Sequence, residues 1–135
     1  MRKNKKKEER LQSAIARYLR LQYPDVIFTS ESSGIRVPLG LAVQMKSQRS
    51  NHKQLDLMIL EPKGCYHGLI IELKKDRKEI YLKKGGYSKK PHIQEQLKSI
   101  ELLKSKGYYS CFSCGFDETK DLIDKYMSLA YLESL

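Results

Sequence analysis

Apolar residues recur every three or four positions in three parts of the chain, a spacing typical of amphipathic helices. The first such segment covers residues 8–23 and stops at a proline, which cannot continue a helix. The second begins at Pro91 and extends to Gly107, a residue suited to a helix C-cap. The third is predicted to begin at an Asp117 cap and to run through Leu132.

Runs of apolar residues between these helices predict four strands. The first lies within residues 25–30, two more occupy residues 56–60 and 68–74, and the last covers residues 108–113. The two middle runs are almost wholly apolar, as in strands that are covered on both faces. The order of elements therefore predicts a three-layer α/β domain over residues 8–135, with a central mixed sheet flanked by helices.

Positive charge is the main signal in the composition. The chain carries 26 Lys and Arg residues against 16 Asp and Glu residues, a net charge of +10, and five of the cations precede residue 8. We therefore predict a solvated basic arm over residues 1–7. Such an excess favours a polyanionic partner, most commonly nucleic acid, although lysines can also serve only to keep a protein in solution.

Two further segments of the chain are predicted to be basic loops. Residues 31–54 show no clear periodicity, and residues 75–90 are polar and basic around Gly85-Gly86. A loop as long as the first is usually functional or mobile. Seven of the cations in these two segments are the candidate nucleic-acid-binding residues: Lys46, Arg49, Lys53, Lys83, Lys84, Lys89 and Lys90.

The composition also argues against several classes of protein. No apolar run approaches the roughly 18 residues of a membrane span, and no apolar stretch of a secretory signal follows the basic N-terminus. Three cysteines are too few for a disulfide scaffold, so a cytoplasmic location is expected. Cys111 and Cys114 have the spacing of a zinc or redox pair, but residues three apart on a strand point to opposite faces, which favours buried thiols. Tyr87 lies among lysines and could stack on a base.

Charged side chains in the two middle strands need an explanation, because buried strands rarely contain them. The two-residue period of a strand places Glu72 and Lys74 on the same face. If the two strands pair as a hairpin, Asp56 lies opposite Glu72, and two carboxylates and one ammonium converge at one end of the sheet. The alternative is that Glu72 and Lys74 point into solvent and that Asp56 caps a turn.

A buried cluster of two carboxylates is costly unless it is paired or binds a metal. Carboxylate oxygens suit Mg²⁺ or Mn²⁺. An ion held by Asp56 and Glu72 could lower the pKa of a bound water and neutralise a phosphate oxygen. Lys74 could orient that water and counter the negative charge that develops in the transition state.

The order and spacing of these residues resemble the PD-(D/E)xK nuclease superfamily and, within it, the VRR-NUC family, over residues 8–115. Its members carry a Glu on the first helix, an Asp at the start of the second strand, a Glu-x-Lys at the end of the third and a Gln at the start of the next helix. The matching residues here are Glu9, Asp56, Glu72, Lys74 and Gln96. One departure is Gln54-Leu55 before the Asp, where the family usually has Gly and Pro.

The resemblance implies a restriction endonuclease-like fold and a separate role for each residue of the cluster. Asp56 and Glu72 would bind Mg²⁺ or Mn²⁺, with the backbone carbonyl of Leu73 as a third ligand. Lys74 would position the attacking water or stabilise the transition state.

Two residues outside the strands complete the implied site. Glu9 would reach the metal through water, and Gln96 would orient Lys74 or a phosphate. Each could instead be an ordinary polar residue in the first turn of its helix; for Glu9, the helix dipole would favour the acid there.

The function that this resemblance implies is Mg²⁺-dependent hydrolysis of DNA, either branched DNA such as a Holliday junction or plain duplex. Family members of this size resemble junction resolvases that act as homodimers in bacteria and phages. Here the last helix and the edge of the sheet are the candidate dimer surface. The alternative is a non-catalytic nucleic-acid-binding module that keeps the fold, and the Gln54-Leu55 departure is the feature that supports it.

Overall fold

A computed structural model describes residues 2–30 and 37–135 of the chain, with side chains from Lys7 onward in the first range. Helices and strands alternate along it, and a short 3₁₀ helix at Arg77–Glu79 follows the third strand. The elements in chain order are α1 (Arg2–Gln22), β1 (Phe28–Ser30), α2 (Leu39–Ser47), β2 (Leu57–Ile59), β3 (Leu69–Lys74), α3 (Pro91–Ser105), β4 (Tyr109–Cys114) and α4 (Gly115–Met127).

The four strands form one mixed sheet in the order β1-β2-β3-β4. Strand β2 runs antiparallel to both β1 and β3, and β4 runs parallel to β3. A parallel neighbour requires a crossover connection, which here contains α3. The predicted α/β class with a central mixed sheet is therefore confirmed.

Strand β3 lies in the middle of the three layers, which explains its continuous apolar sequence. Leu69, Ile71 and Leu73 face one side and pack with buried residues of α1 and α4. Ile70 faces the other side, where it packs with Ile100 of α3. The same alternation directs Glu72 and Lys74 to the α3 side of the sheet.

Two helix boundaries differ from the sequence prediction. Helix α1 begins at Arg2 and not at residue 8, since Lys and Arg have high helix propensity and a helix can continue beyond the residues that it buries. Helix α4 begins at Gly115, where the Glu118 carboxylate accepts the backbone N–H of Cys114. Asp117 therefore lies in the first turn and is not the cap, and the helix ends at Met127, before the predicted Leu132.

The long segment that we predicted to be an irregular loop contains a helix. Helix α2 covers Leu39–Ser47 and has no buried residue, so its apolar side chains do not show the one-sided pattern that would have predicted it. Residues 31–36 of that predicted loop, and Met1 of the predicted arm, lie outside the described residues.

A carboxylate of α4 joins the two helices that cover one face of the sheet. Asp124 Oδ1 accepts hydrogen bonds from the hydroxyls of Tyr18 at 2.5 Å and Tyr23 at 2.7 Å, and Lys120 Nζ lies 3.0 Å from Oδ2. Burial raises the pKa of Asp124, but the hydrogen bonds from the two tyrosines and Lys120 outweigh it, so the pKa is lowered. Burial and the bond to Asp124 raise the pKa of Tyr18 to about 12.

We expect Asp124→Asn to lower the free energy of unfolding at neutral pH by about 1 kcal/mol, since the hydrogen bonds lose a charged acceptor. Because the folded pKa of Asp124 is depressed, its contribution is present above the unfolded pKa and is lost as pH falls through the folded value. The gap between wild type and variant should therefore close below about pH 4. Urea unfolding at several pH values measures it. Asp121→Asn, an exposed position on the same helix, is the control, and an equal effect of the two substitutions would contradict the assignment.

Candidate active site

The pairing of β2 with β3 brings two carboxylates together at the end of the sheet. Leu57 pairs with Ile71, so the register places Asp56 opposite Glu72. The backbone N–H of Asp56 donates to Glu72 Oε2 at 3.0 Å, and the N–H of Leu73 donates to Asp56 Oδ2 at 2.9 Å. Each carboxylate is thus held by the backbone of the other strand.

Glu72 and Lys74 are buried, with only 4% and 6% of their surfaces exposed. Lys74 Nζ lies 3.7 Å from Glu72 Oε1. Burial raises the pKa of Glu72 well above its ordinary value, and the charge of Asp56 raises it further, while Lys74 lowers it in part. One ammonium therefore only partly compensates two adjacent carboxylates, which is an environment that attracts a cation.

Gln96 joins this cluster from α3. Its Nε2 donates to Glu72 Oε1 at 2.7 Å, and its own side chain is buried. Within residues 2–30 and 37–135, the amide oxygen of Gln96 is buried without a hydrogen-bond partner. Gln96 is therefore placed to orient Glu72, and its amide oxygen is a further acceptor that water or a bound group could use.

The segment before Asp56 is held in place from both sides of the sheet. Ser99 Oγ, one turn after Gln96 on α3, donates to the carbonyl of Lys53 at 2.6 Å. Gln12 Nε2 of α1 donates to the carbonyl of Asp56 at 3.2 Å. Between these two points Leu55 is buried and packs with residues of β3 and α3. The packing of the Leu55 side chain thus fixes the backbone at the position where the VRR-NUC family usually has Pro.

Sequence reasoning missed Gln12 and Ser99, although a signal existed for Ser99. It falls on the apolar face of α3, beside Ile100 and three residues after Gln96. A polar residue at such a position needs a partner, and that requirement marks it as a structural contact.

The acid of α1 that faces the cluster is Glu8, while Glu9 is exposed. Glu8 is half-buried and lies one turn before Gln12, on the same face of the helix. Burial raises the pKa of Glu8, the negative charges of Glu79 and Asp56 raise it further, and Lys74 lowers it. The structure therefore places Glu8 in the field of the cluster, while Glu9, for which the sequence predicts a role at the metal, is exposed.

The seven candidate DNA-binding cations are all exposed. Some of them lie close to the cluster, as His92 at the start of α3 indicates. Burial lowers the pKa of His92, and the positive charges of Lys74, Lys90 and Lys53 lower it further. The positive charges of Lys74, Lys90 and Lys53 therefore all act at the start of α3, where Glu79 opposes them in part.

The geometry also bears on the predictions made for Cys111 and Cys114 and for Tyr87. Cys111 and Cys114 occupy positions of opposite parity on β4, and burial raises the pKa values of their thiols to about 12 and about 11, so neither is an activated thiol. Across the described part of the chain, no three His, Cys, Asp or Glu side chains are grouped as metal ligands. The ring of Tyr87 contacts Tyr81 and Phe112, with centroid distances of 5.4 Å and 6.2 Å, and 39% of Tyr87 is exposed, so its stacking on a base stays a prediction.

The donor set at the cluster fits Mg²⁺ better than zinc. It offers two carboxylates, Asp56 and Glu72, and Leu73 between Glu72 and Lys74 carries the backbone carbonyl that was predicted as a third ligand. Mg²⁺ is commonly bound by one or two carboxylates and completes its shell with water and phosphate oxygens, so a third acidic side chain is not required. The unpartnered amide oxygen of Gln96 is a site where such a water could be held.

Comparisons with known proteins identify the fold. No family model matches the sequence, and no curated protein is detectably similar to it. Among solved structures, the chain is similar to a VRR_NUC domain protein, with a TM-score of 0.63 and 24% sequence identity over 92% of this chain and 90% of the other. The chain therefore has the fold of a VRR_NUC domain over nearly its whole length.

No helix in the described ranges is long and apolar enough to span a membrane.

Proposed function

We propose that this chain is a Mg²⁺-dependent nuclease of the PD-(D/E)xK type that hydrolyses phosphodiester bonds in DNA. The observation that carries the proposal is the cluster of half-buried Asp56 with buried Glu72 and Lys74 at one end of the sheet. Two adjacent carboxylates beside a buried lysine are costly to stability, and a site for metal and phosphate explains why they are placed together. The VRR_NUC-like fold and the net charge of +10 support a nucleic-acid substrate.

Asp56 and Glu72 would hold the metal, Mg²⁺ or Mn²⁺, together with the carbonyl of Leu73. Bound there, the ion supplies an activated water and neutralises negative charge on a phosphate oxygen. Gln96 keeps the Glu72 carboxylate in its orientation through the 2.7 Å hydrogen bond. The backbone bonds between the two strands fix the separation of the carboxylates before any ion enters.

Lys74 acts on the phosphate and the attacking water. Its ammonium is buried beside Glu72, so its charge is poorly screened by solvent. As the water attacks phosphorus and the bond to the leaving oxygen breaks, negative charge grows on the non-bridging oxygens. A fixed ammonium at that place stabilises this charge without having to reorganise.

Branched DNA, such as a Holliday junction, and action as a homodimer stay predictions for this chain. Cutting two strands of a symmetric branch requires two active sites, which a twofold dimer supplies. One feature that supports a dimer is β4, an edge strand of the sheet whose six residues (Tyr109–Cys114) include no charged residue.

We expect Glu72→Gln to reduce DNA cleavage in Mg²⁺ to background and Lys74→Met to reduce the turnover rate by about 100-fold or more. Both variants should still bind DNA, because the exposed cations are unchanged. Cleavage of a panel of branched and linear DNAs, with and without excess EDTA, measures this. Glu95→Gln and Lys98→Met, on the exposed face of α3, are the charge-matched controls.

Full cleavage in excess EDTA would reject metal dependence. If wild type binds DNA in Mg²⁺ or Mn²⁺ and cleaves none of the panel, the nuclease proposal is wrong and a non-catalytic binding module replaces it.

A second prediction distinguishes the two adjacent acids of α1. Glu8→Gln should raise the Mg²⁺ concentration for half-maximal activity about tenfold, since Glu8 adds negative charge beside the metal ligands. Glu9→Gln should leave it unchanged, because Glu9 is exposed. Magnesium titrations of single-turnover cleavage measure both values. The reverse ranking of the two variants would return the role to Glu9.

A further inference from the structure

A β-hairpin lies between the two elements that carry Lys74 and Gln96. We call residues 80–88 the lysine hairpin. Its two arms are joined by the N–H of Ser88 donating to the carbonyl of Ile80 at 2.6 Å and by the N–H of Leu82 donating to Gly86 at 2.9 Å. Because β3 leads into it and α3 follows it, the hairpin is fixed to the active-site end of the sheet.

The base of the lysine hairpin is built into the protein. Ile80 is 1% exposed and Ser88 is 6% exposed. Gln94 Nε2 of α3 donates to the carbonyl of Ser88 at 2.8 Å. In the stem, the ring of Tyr87 contacts Tyr81 from the other arm and Phe112 of β4. The buried base therefore supports the hairpin, while the rings of Tyr81 and Tyr87 contact each other and keep 40% and 39% of their surfaces exposed.

The tip of the hairpin has the opposite character. Lys83, Lys84, Gly85 and Gly86 are all exposed. Both glycines have positive φ values, 91° and 81°, and a Cβ atom at either would meet nothing within 4 Å. Glycine is thus needed at the tip for the backbone turn and not for space within the protein. The tip leaves two ammonium groups and a bare backbone projecting into solvent.

The charged side chains around the hairpin, over residues 80–94, are all positive. Residues 80–94 contain no acidic residue, and they carry Lys83 and Lys84 at the tip and Lys89 and Lys90 between the hairpin and α3. The segment leads directly into α3, the helix that carries Gln96, and Lys74 and Lys90 both act on His92 at the start of that helix. The chain from the hairpin into α3 therefore presents four lysines and no acidic residue over positions 80–94.

We propose that the lysine hairpin grips the phosphate backbone of double-stranded DNA next to the bond that is cut. This inference rests on the proposed nuclease function and specifies how its substrate is held. Phosphates, and not bases, are the target because the exposed tip, Lys83 to Gly86, offers two ammonium groups and carries no aromatic ring that could stack on a base. Binding through the hairpin is therefore independent of base sequence, and duplex DNA is preferred over unpaired strands.

The test compares two double variants of the full chain in EDTA, so that binding is measured whether or not the chain cleaves DNA. Lys83→Gln/Lys84→Gln removes the tip charges, and Lys104→Gln/Lys106→Gln removes two exposed lysines from the other end of α3. The affinity for a duplex oligonucleotide is measured from 50 to 300 mM salt. Each phosphate contact contributes about 0.9 to the slope of log K against log salt, so the tip variant should flatten the slope by about 2. The control should keep the wild-type slope.

Equal slopes for the tip and control variants would overturn the proposal, as would a loss of affinity confined to single-stranded DNA. A third variant, Gly85→Val/Gly86→Val, keeps every charge but disfavours the left-handed backbone of the tip. It should weaken duplex binding about threefold to tenfold, with a melting temperature close to that of wild type. Wild-type affinity in this variant would show that unspecific charge, and not the hairpin, holds the DNA.

The outcomes for binding and cleavage are separable. A flattened slope in a chain that cleaves no DNA would sustain the hairpin inference and reject the nuclease proposal. Cleavage with equal slopes for the tip and control variants would reject the hairpin alone.

Discussion

The antiparallel contact between β2 and β3 places two carboxylates where neither can be fully solvated. Asp56 and Glu72 each accept a backbone N–H from the opposite strand, and those bonds exist only in the observed register. A shift of one residue would turn Ile70, Glu72 and Lys74 toward α1 and α4 and bury charge in the main core. The apolar residues of β3 exclude that alternative, so the same register that builds the core also builds the cluster.

Contacts from the layers around this cluster offset its unfavourable electrostatic free energy. Gln96 supplies a hydrogen-bond donor to Glu72 from one side, and Lys74 supplies partial charge compensation. On the other side of the sheet, the hydrogen bonds of Tyr18 and Tyr23 to Asp124 join α1 to α4. Apolar packing and polar contacts remote from the cluster thus stabilise the fold. The fold can therefore tolerate a cluster that is electrostatically unfavourable.

Residue periodicity was sufficient to predict the sheet and the face on which Glu72 and Lys74 lie, because alternation is a local property of a strand. It could not decide between Glu8 and Glu9, because successive side chains on a helix differ in direction by about 100°. Which of the two acids faces the cluster depends on how the helix packs against its neighbours. Helix α2 was missed for a related reason, since it buries no side chain and so has no one-sided apolar pattern. The contact of Ser99 with Lys53 joins residues 46 positions apart, and only the fold brings them together.

Helix α3 contacts the two carboxylates by different routes: Gln96 binds Glu72 directly, and Ser99 binds the chain that leads into Asp56. The two contacts are one helical turn apart on a single rigid body. A displacement of that body along its axis would therefore disturb the contacts of both carboxylates at once. The geometry of both carboxylates is consequently tied to the position of one helix.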